Sequence, residues 1–124
     1  MARIITTKIE DLAQALLDHG GAQASQYAMD ILTYPRLANL SMPKEVSYEV
    51  LVISAAMLEL FAERRGEPPP AWTTEVGGVP QPGLFLMGGY EKKYPRRGER
   101  WRQESPGPLK RRNLFASAEF MTFC

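Results

Sequence analysis

The distribution of proline and glycine divides this chain of 124 residues into two parts. Up to Gly66, apolar residues recur with the period of an α-helix, whereas beyond it prolines and paired glycines interrupt every possible element. The run Pro68-Pro69-Pro70 favours a stiff polyproline II segment at the junction. We therefore predict a mainly α fold, with a three-helix core over residues 1–66 and an irregular Pro/Gly-rich C-terminal arm over residues 67–124.

The first two predicted helices form a hairpin. The first extends from about residue 8 to residue 19, with Thr7 as its capping residue and Gly20-Gly21 at its end. The second covers residues 22–32 and ends before Pro35, which cannot continue a helix. A link this short predicts two antiparallel neighbours.

The third predicted helix is apolar over much of its circumference. We expect Ser41 to cap it, Pro43 to lie in its first turn and Gly66 to end it. Such a helix is central in its bundle or is covered by a partner. Two of its acidic residues, Glu49 and Glu59, are interpreted as a solvated edge.

The arm carries only short signals of regular structure. Residues 84–87 form an apolar run that suits a strand or an anchor, and residues 99–103 suit one helical turn. Ser117 suits a helix start within residues 114–123. About sixty helical residues fold alone only marginally, so we expect the arm or a second chain to complete the core. The aromatic residues expected to contribute are Trp72, Phe85, Tyr90, Tyr94, Trp101, Phe115 and Phe120.

Charge is distributed unevenly along the chain. Residues 90–112 hold nine Lys or Arg against three Glu, a net charge of +6. The other residues hold six Lys or Arg against eleven Asp or Glu, a net charge of −5, which gives the total of +1. An acidic body with a basic arm can dock on itself or present the arm to an acidic protein or a nucleic acid.

The sequence lacks the residues that several classes of function need. The single His19 and the single Cys124 are far apart in sequence, so no metal site or other cofactor is expected. No nucleophile motif accompanies the serines, and we predict that the chain is not an enzyme. The first residues do not resemble a signal peptide and no apolar run is long enough to span a bilayer, so a cytoplasmic protein without a membrane partner is expected.

The basic arm is the main candidate for function, because its cations alternate with aromatic residues. This composition suits hot spots of protein interfaces, and it also suits phosphate contacts with base stacking. Docking on the chain's own acidic helices remains a third interpretation. Homo-oligomerisation is compatible with all three and is expected from the marginal core. The predicted partner-binding residues are Trp72, Arg96, Arg97, Arg100, Trp101, Arg102, Lys110, Arg111, Arg112, Asn113 and Phe115.

Two segments carry a resemblance to a known group of proteins. A helix ending in Gly-x-Pro-x-Pro-x-Trp is followed by a Ser-Pro segment that leads into Arg-Arg-Asn-Leu-Phe. The matching residues are Gly66, Pro68, Pro70, Trp72, Ser105, Pro106, Arg111, Arg112, Asn113, Leu114 and Phe115. The pattern resembles small bacterial helical proteins encoded beside nucleotidyltransferase-like toxins. The resemblance covers about half of the chain and implies an antitoxin-like partner of a toxin-like enzyme.

Overall fold

The computed structural model of the chain describes residues 6–122, without the side chains of residues 22 and 23. It is mainly helical, as predicted. The helices and strands are α1 (Ile9–His19), α2 (Gly21–Leu32), α3 (Tyr48–Arg65), β1 (Leu84–Phe85), α4 (Tyr90–Lys93), α5 (Pro95–Glu104), α6 (Gly107–Lys110) and β2 (Leu114–Phe115). Short 3₁₀ segments occupy Leu37–Asn39 and Ala71–Glu75. Cys124, and the end of the predicted 114–123 helix, lie outside the described residues.

The α1–α2 hairpin is confirmed, but its first cap is not the predicted one. Lys8 is the residue that precedes α1, and its backbone N–H donates to Asp11 Oδ2 at 2.8 Å. The Thr7 hydroxyl instead donates to Asp30 Oδ2 at 2.9 Å. Thr7 therefore ties the start of α1 to α2, and Asp11 satisfies the free donor at the helix end.

Helix α3 is the centre of the core, as its wide apolar surface predicted. It packs against α1, α6 and both 3₁₀ segments. Twelve of its residues are buried, from Val50 to Ala62 with the exception of Leu51. An element buried on all sides explains why apolar residues are not confined to one stripe.

The ends of α3 correct one prediction and confirm another. The helix begins at Tyr48, where the Ser47 hydroxyl accepts from Val50 N–H at 3.2 Å, so Ser41 is not its cap. Glu45 has a left-handed backbone with φ 58°, which ends any helix begun at Ser41. At the other end Gly66, with φ 67°, terminates the helix as expected, and Glu67 N–H donates to Ala62 O at 3.0 Å.

The arm is more regular than its composition suggested. β1 and β2 pair in parallel, with Leu84 opposite Leu114 and Phe85 opposite Phe115. The predicted strand interpretation of residues 84–87 is thus confirmed over two residues. The single turn predicted at residues 99–103 is wrong in length, because α5 has ten residues and Pro95 at its first position starts the helix.

The predicted helix start at Ser117 is also wrong. Leu114 and Phe115 form β2, and residues 118–121 form a turn in which Phe120 N–H donates to Ser117 O at 3.0 Å. Met121 has a left-handed backbone with φ 57°, a conformation that a right-handed helix does not contain.

Glycines allow backbone segments distant in sequence to touch, both between the core and the arm and within the arm. Gly20, with φ 82°, lies against the turn at Gly88, and a Cβ on Gly20 would be 2.4 Å from Gly88 N. Gly78 lies against Arg112, where a Cβ would be 2.6 Å from the Arg112 Cα. These glycines therefore act as contact points between segments distant in sequence.

Aliphatic residues of the arm complete the core. Leu86, Leu109 and Leu114 belong to the same buried cluster as α1, α2 and α3, together with Phe120. Trp101 and Phe115 are also buried, whereas Tyr90 and Tyr94 are 43% and 39% exposed. The expected contribution of the arm is therefore present, although only some of the aromatic residues make it. Among the described helices, none combines the length and apolar character needed to cross a bilayer.

Candidate interaction surface

The cations of the arm form two groups with different surroundings. Arg111 and Arg112 follow α6 and reach back to the carboxylate of Glu59 on α3. The cations of α4 and α5 lie on exposed residues: Lys92, Lys93, Arg96, Arg97, Arg100 and Arg102. The first group anchors the arm on its own core, and the second faces solvent.

The buried group is built around Glu59, which is 7% exposed. Arg112, 5% exposed, makes a two-pronged contact in which Nη1 is 2.6 Å from Oε1 and Nη2 is 2.8 Å from Oε2. Arg112 Nη2 also donates to Thr73 O at 2.9 Å. Arg111 Nη2 adds a bond of 2.5 Å to Glu59 Oε1. The prediction that Glu59 lies at a solvated edge is wrong, because two arginines of the arm compensate its burial.

The electrostatics of this group favour the charged carboxylate. Burial by itself raises the pKa of Glu59, because a charge is costly away from water. Hydrogen bonds from Arg112 and Arg111, with a smaller contribution from Thr73 and the charge of Arg112, outweigh burial. The pKa of Glu59 therefore lies below its ordinary value, and the residue is an anionic anchor.

Five of the predicted partner-binding residues lie in this part of the arm and make contacts within the chain, among them Arg111 through its bond to Glu59. Arg112 and Phe115 are buried. Asn113 donates from Nδ2 to Val79 O at 2.8 Å and accepts from Gln81 Nε2 at 3.1 Å. Lys110, which is exposed, donates from Nζ to Gln103 O at 2.9 Å. In this conformation Arg112 and Phe115 offer no surface to a partner.

The two tryptophans are likewise held by the chain. Trp72 is partly buried and donates from Nε1 to Leu40 O at 2.9 Å. Trp101 is 8% exposed and its ring lies 6.5 Å from Phe85 and 6.3 Å from Tyr90, between ring centres. Trp101 therefore packs the inner side of α5 against Phe85 and Tyr90, and only an edge of its ring reaches the protein surface.

Arg102 packs on the aromatic rings beneath it. Its guanidinium lies 5.0 Å from the ring centre of Phe85 and 4.8 Å from that of Phe115. Nη1 also donates to Pro82 O at 2.9 Å. These contacts fix α5 to the paired strands, so that Arg102 acts as a clamp between elements.

The exposed face of α4 and α5 carries a stack of three side chains, here called the Tyr–Arg stack: Tyr90, Tyr94 and Arg97. The two tyrosine rings are 4.8 Å apart. The guanidinium of Arg97 lies 5.0 Å from the ring centre of Tyr94 and 5.8 Å from that of Tyr90. Contacts within the chain therefore hold the two large rings and the cation in one arrangement.

The remaining cations of this face are less engaged. Arg100 Nε is 3.8 Å from Glu104 Oε1, an exposed pair of little strength. Lys93 Nζ lies 5.8 Å from the ring centre of Tyr94. Lys92 and Arg96 make no ion pair or cation–π contact with any residue from 6 to 122.

A groove of about 520 Å³ opens beside the Tyr–Arg stack, and we call it the arginine–aromatic groove. Its lining residues come from the start of α2 and from two parts of the arm, residues 87–101 and the turn after β2. Its lining consists of Gly21, Ser25, Met87, Tyr90, Arg97, Trp101, Ser117, Glu119, Phe120, Met121 and Thr122. Aromatic, methionine and arginine side chains in a concave site are typical of interaction surfaces.

The groove contains two of the eleven predicted partner-binding residues, Arg97 and Trp101. Tyr90 and Tyr94 were not among the predicted binding residues, although they are the exposed aromatic residues of this face. Their spacing of four residues places two side chains on the same face of a helix, but the sequence alone did not predict the helical turn at α4. The walls formed by Gly21 and Met121 had no signal, since only the fold brings them together.

The described residues contain no group of three or more His, Cys, Asp or Glu side chains placed to hold a metal ion.

Comparison with protein-family models, with curated proteins and with solved structures returned no match to this chain.

Proposed function

We propose that this chain is a cytoplasmic protein-interaction module that acts by binding, and that the arginine–aromatic groove receives an acidic surface of another protein. The observation that carries the proposal is the Tyr–Arg stack, in which exposed Tyr90 and Tyr94 hold Arg97 beside the groove. A few hot-spot residues supply most of the binding energy at protein interfaces, and Tyr, Trp and Arg are enriched among them. Residues already ordered by their neighbours lose little entropy on binding.

Charge supports an acidic partner. Residues 90–104 hold six Lys or Arg against three Glu, a net charge of +3. Lys92 and Arg96 are exposed and unpaired within the described part of the chain, so they can steer an acidic surface toward the groove. The single acid in the groove lining, Glu119, is exposed and can orient a basic residue of the same partner.

We further propose that the partner is a toxin-like enzyme, which the chain neutralises as an antitoxin-like protein. The support is the resemblance of residues 58–72 and 104–117 to proteins encoded beside nucleotidyltransferase-like toxins. An adjacent reading frame for such an enzyme in the source genome is the expected context.

A quantitative pull-down from the native host tests the proposal. We expect a stoichiometric protein partner that is retained at low salt and released progressively as salt rises. The double variant with Arg97→Gln and Tyr94→Ala should no longer recover this partner. Arg36→Gln is the matched control, because Arg36 is an exposed arginine outside the groove. Equal recovery with the groove variant and the control, or no stoichiometric partner at any salt, would contradict the proposal.

Nucleic acid is the second candidate partner, favoured by the unpaired Lys92 and Arg96 beside aromatic rings. In that case the affinity of the chain for a single-stranded oligonucleotide should fall steeply as salt rises, since neutralised phosphates release counterions. Replacing Arg96, Arg97 and Arg100 with Ala should abolish it. The three Glu among the same cations make this function the weaker of the two.

A further inference from the structure

A second cleft, separate from the arginine–aromatic groove, lies where the arm crosses α3. Its volume is about 320 Å³, and its lining consists of Glu59, Thr74, Val76, Gly77, Gly78, Arg111 and Arg112. None of these residues lines the arginine–aromatic groove. A ligand site in this cleft therefore does not depend on the proposed function.

Hydrogen-bond donors in this cleft are left without acceptors. The backbone N–H groups of Gly77 and Gly78 have no partner among the described residues. Arg112 Nε is buried and is likewise unpartnered within residues 6–122. Gly77 is exposed and Gly78 is half-buried, and a donor that has no acceptor within the chain is available to a ligand.

Arg111 adds an accessible charge to these donors. Its side chain is 59% exposed, and only Nη2 is engaged, with Glu59 Oε1. Its other N–H groups have no partner among the described residues. The three ionised groups of the cleft sum to a net charge of +1, from two arginines and one glutamate. A surplus of positive charge with free N–H groups suits an anion.

The cleft is also held in one geometry. The Gly78 backbone lies against that of Arg112, and the Tyr48 hydroxyl donates to Gly78 O at 3.0 Å. Val79 N–H donates to Arg112 O at 3.0 Å. The glycine segment and the arginine pair are therefore fixed relative to each other before a ligand binds.

We propose that this cleft binds a small oxyanion, the charged group of a phosphate, a sulfate or a carboxylate. Arg111 supplies the charge-assisted hydrogen bonds, and the N–H groups of Gly77 and Gly78 supply neutral ones. Arg112 remains bound to Glu59 and adds its charge. The size of the cleft suits a single anionic group with a short attachment.

Titration of the full chain, observed through backbone amide chemical shifts, tests the site. Inorganic phosphate, sulfate and acetate are added separately at constant ionic strength, set with chloride. We expect saturable shifts centred on the amides of Gly77 and Gly78. Saturation by phosphate and sulfate alone assigns a tetrahedral oxyanion, and saturation by acetate assigns a carboxylate. Shifts that fail to saturate with all three anions would overturn the proposal.

Two pairs of variants locate the binding. Arg111→Gln should weaken binding at least about tenfold, the equivalent of one charge-assisted hydrogen bond, whereas Arg100→Gln, at an exposed pair elsewhere, should not. Gly77→Pro removes one N–H, and the extended backbone of Val76 suits a following proline. Gly77→Ala keeps that N–H, with its Cβ in ordinary contact at 3.4 Å from the Tyr48 hydroxyl. Unchanged affinity in a folded Arg111→Gln chain would overturn the site.

Discussion

Glu59 and Arg112 join the central helix to the arm through two parallel contacts, Oε1 to Nη1 at 2.6 Å and Oε2 to Nη2 at 2.8 Å. The two residues are 53 positions apart in sequence, and both are buried. Arg112 in turn supports the Gly78 segment through its backbone. This pair therefore connects the helical core, the glycine segment and the end of the arm.

Replacing Glu59 with Gln should strongly destabilise the fold. The variant leaves Arg112 buried without a counter-charge, and breaking a buried pair in this way costs about 3–5 kcal/mol. The free energy of unfolding, measured by urea denaturation, should fall by this amount. Glu49→Gln is the matched control on the same helix, because Glu49 is exposed, and its effect should be below about 0.5 kcal/mol. Similar values for both variants would contradict the anchoring role of Glu59.

The two arginines of the cluster should contribute unequally. Arg112→Ala should destabilise by about 3 kcal/mol or more, because it leaves the buried Glu59 largely uncompensated. Arg111→Ala should cost at most about 1 kcal/mol, since its side chain is 59% exposed and water screens the pair. Thermal unfolding of both variants under one condition measures the difference. A larger loss for Arg111→Ala than for Arg112→Ala would reverse the assignment.

Stability should depend on the charge of Glu59 in acid. Its pKa in the folded chain lies below the ordinary value of 4.5, although burial alone raises it, because Arg112 and Arg111 stabilise the carboxylate. A carboxyl with a lowered folded pKa contributes stability above its unfolded pKa. That contribution is lost as pH falls through the folded pKa.

Urea denaturation from pH 7 to pH 3 should therefore show decreasing stability below about pH 4.5. Glu59→Gln should have a flatter profile over this window, whereas Glu49→Gln should retain the slope of the parent chain. A slope that is identical in the parent chain and Glu59→Gln would assign the acid sensitivity to other carboxyls.

Gly20→Ala should be far more damaging than Gly66→Ala. Both glycines have positive φ, 82° and 67°, so both substitutions carry the cost of a left-handed backbone, about 1 kcal/mol. A Cβ on Gly20 would also meet Gly88 N at 2.4 Å, whereas a Cβ on Gly66 would meet nothing within 4 Å. The difference in unfolding free energy between the two variants should exceed about 1 kcal/mol. Equal losses would show that the contact between Gly20 and Gly88 relaxes freely.

Local sequence patterns predicted the parts of the fold that depend on local physics. The helical period of residues 46–61 predicted α3 and its central position, and Gly66 predicted its end. The start of α3 was misplaced because Ser41 and Ser47 both suit a cap, and only the backbone of Glu45 decides between them.

The candidate surface was harder to predict, because it depends on contacts between distant segments. The parallel pairing of Leu84 with Leu114 and the burial of Glu59 by Arg112 have no signature within a short window of sequence. The basic composition of residues 90–112 indicated a binding arm, but not that its end is an internal anchor. Arg97 was identified from composition, whereas its stack with Tyr90 and Tyr94 required the fold.

The arm completes the core of its own chain, and we propose that it leaves the arginine–aromatic groove free for a different protein. Size-exclusion chromatography with light scattering, at low and high salt, tests it most directly. We expect a compact monomer of 13.9 kDa under both conditions. A dimer that dissociates only at high salt would contradict it, because a second copy of the chain would then occupy the basic surface.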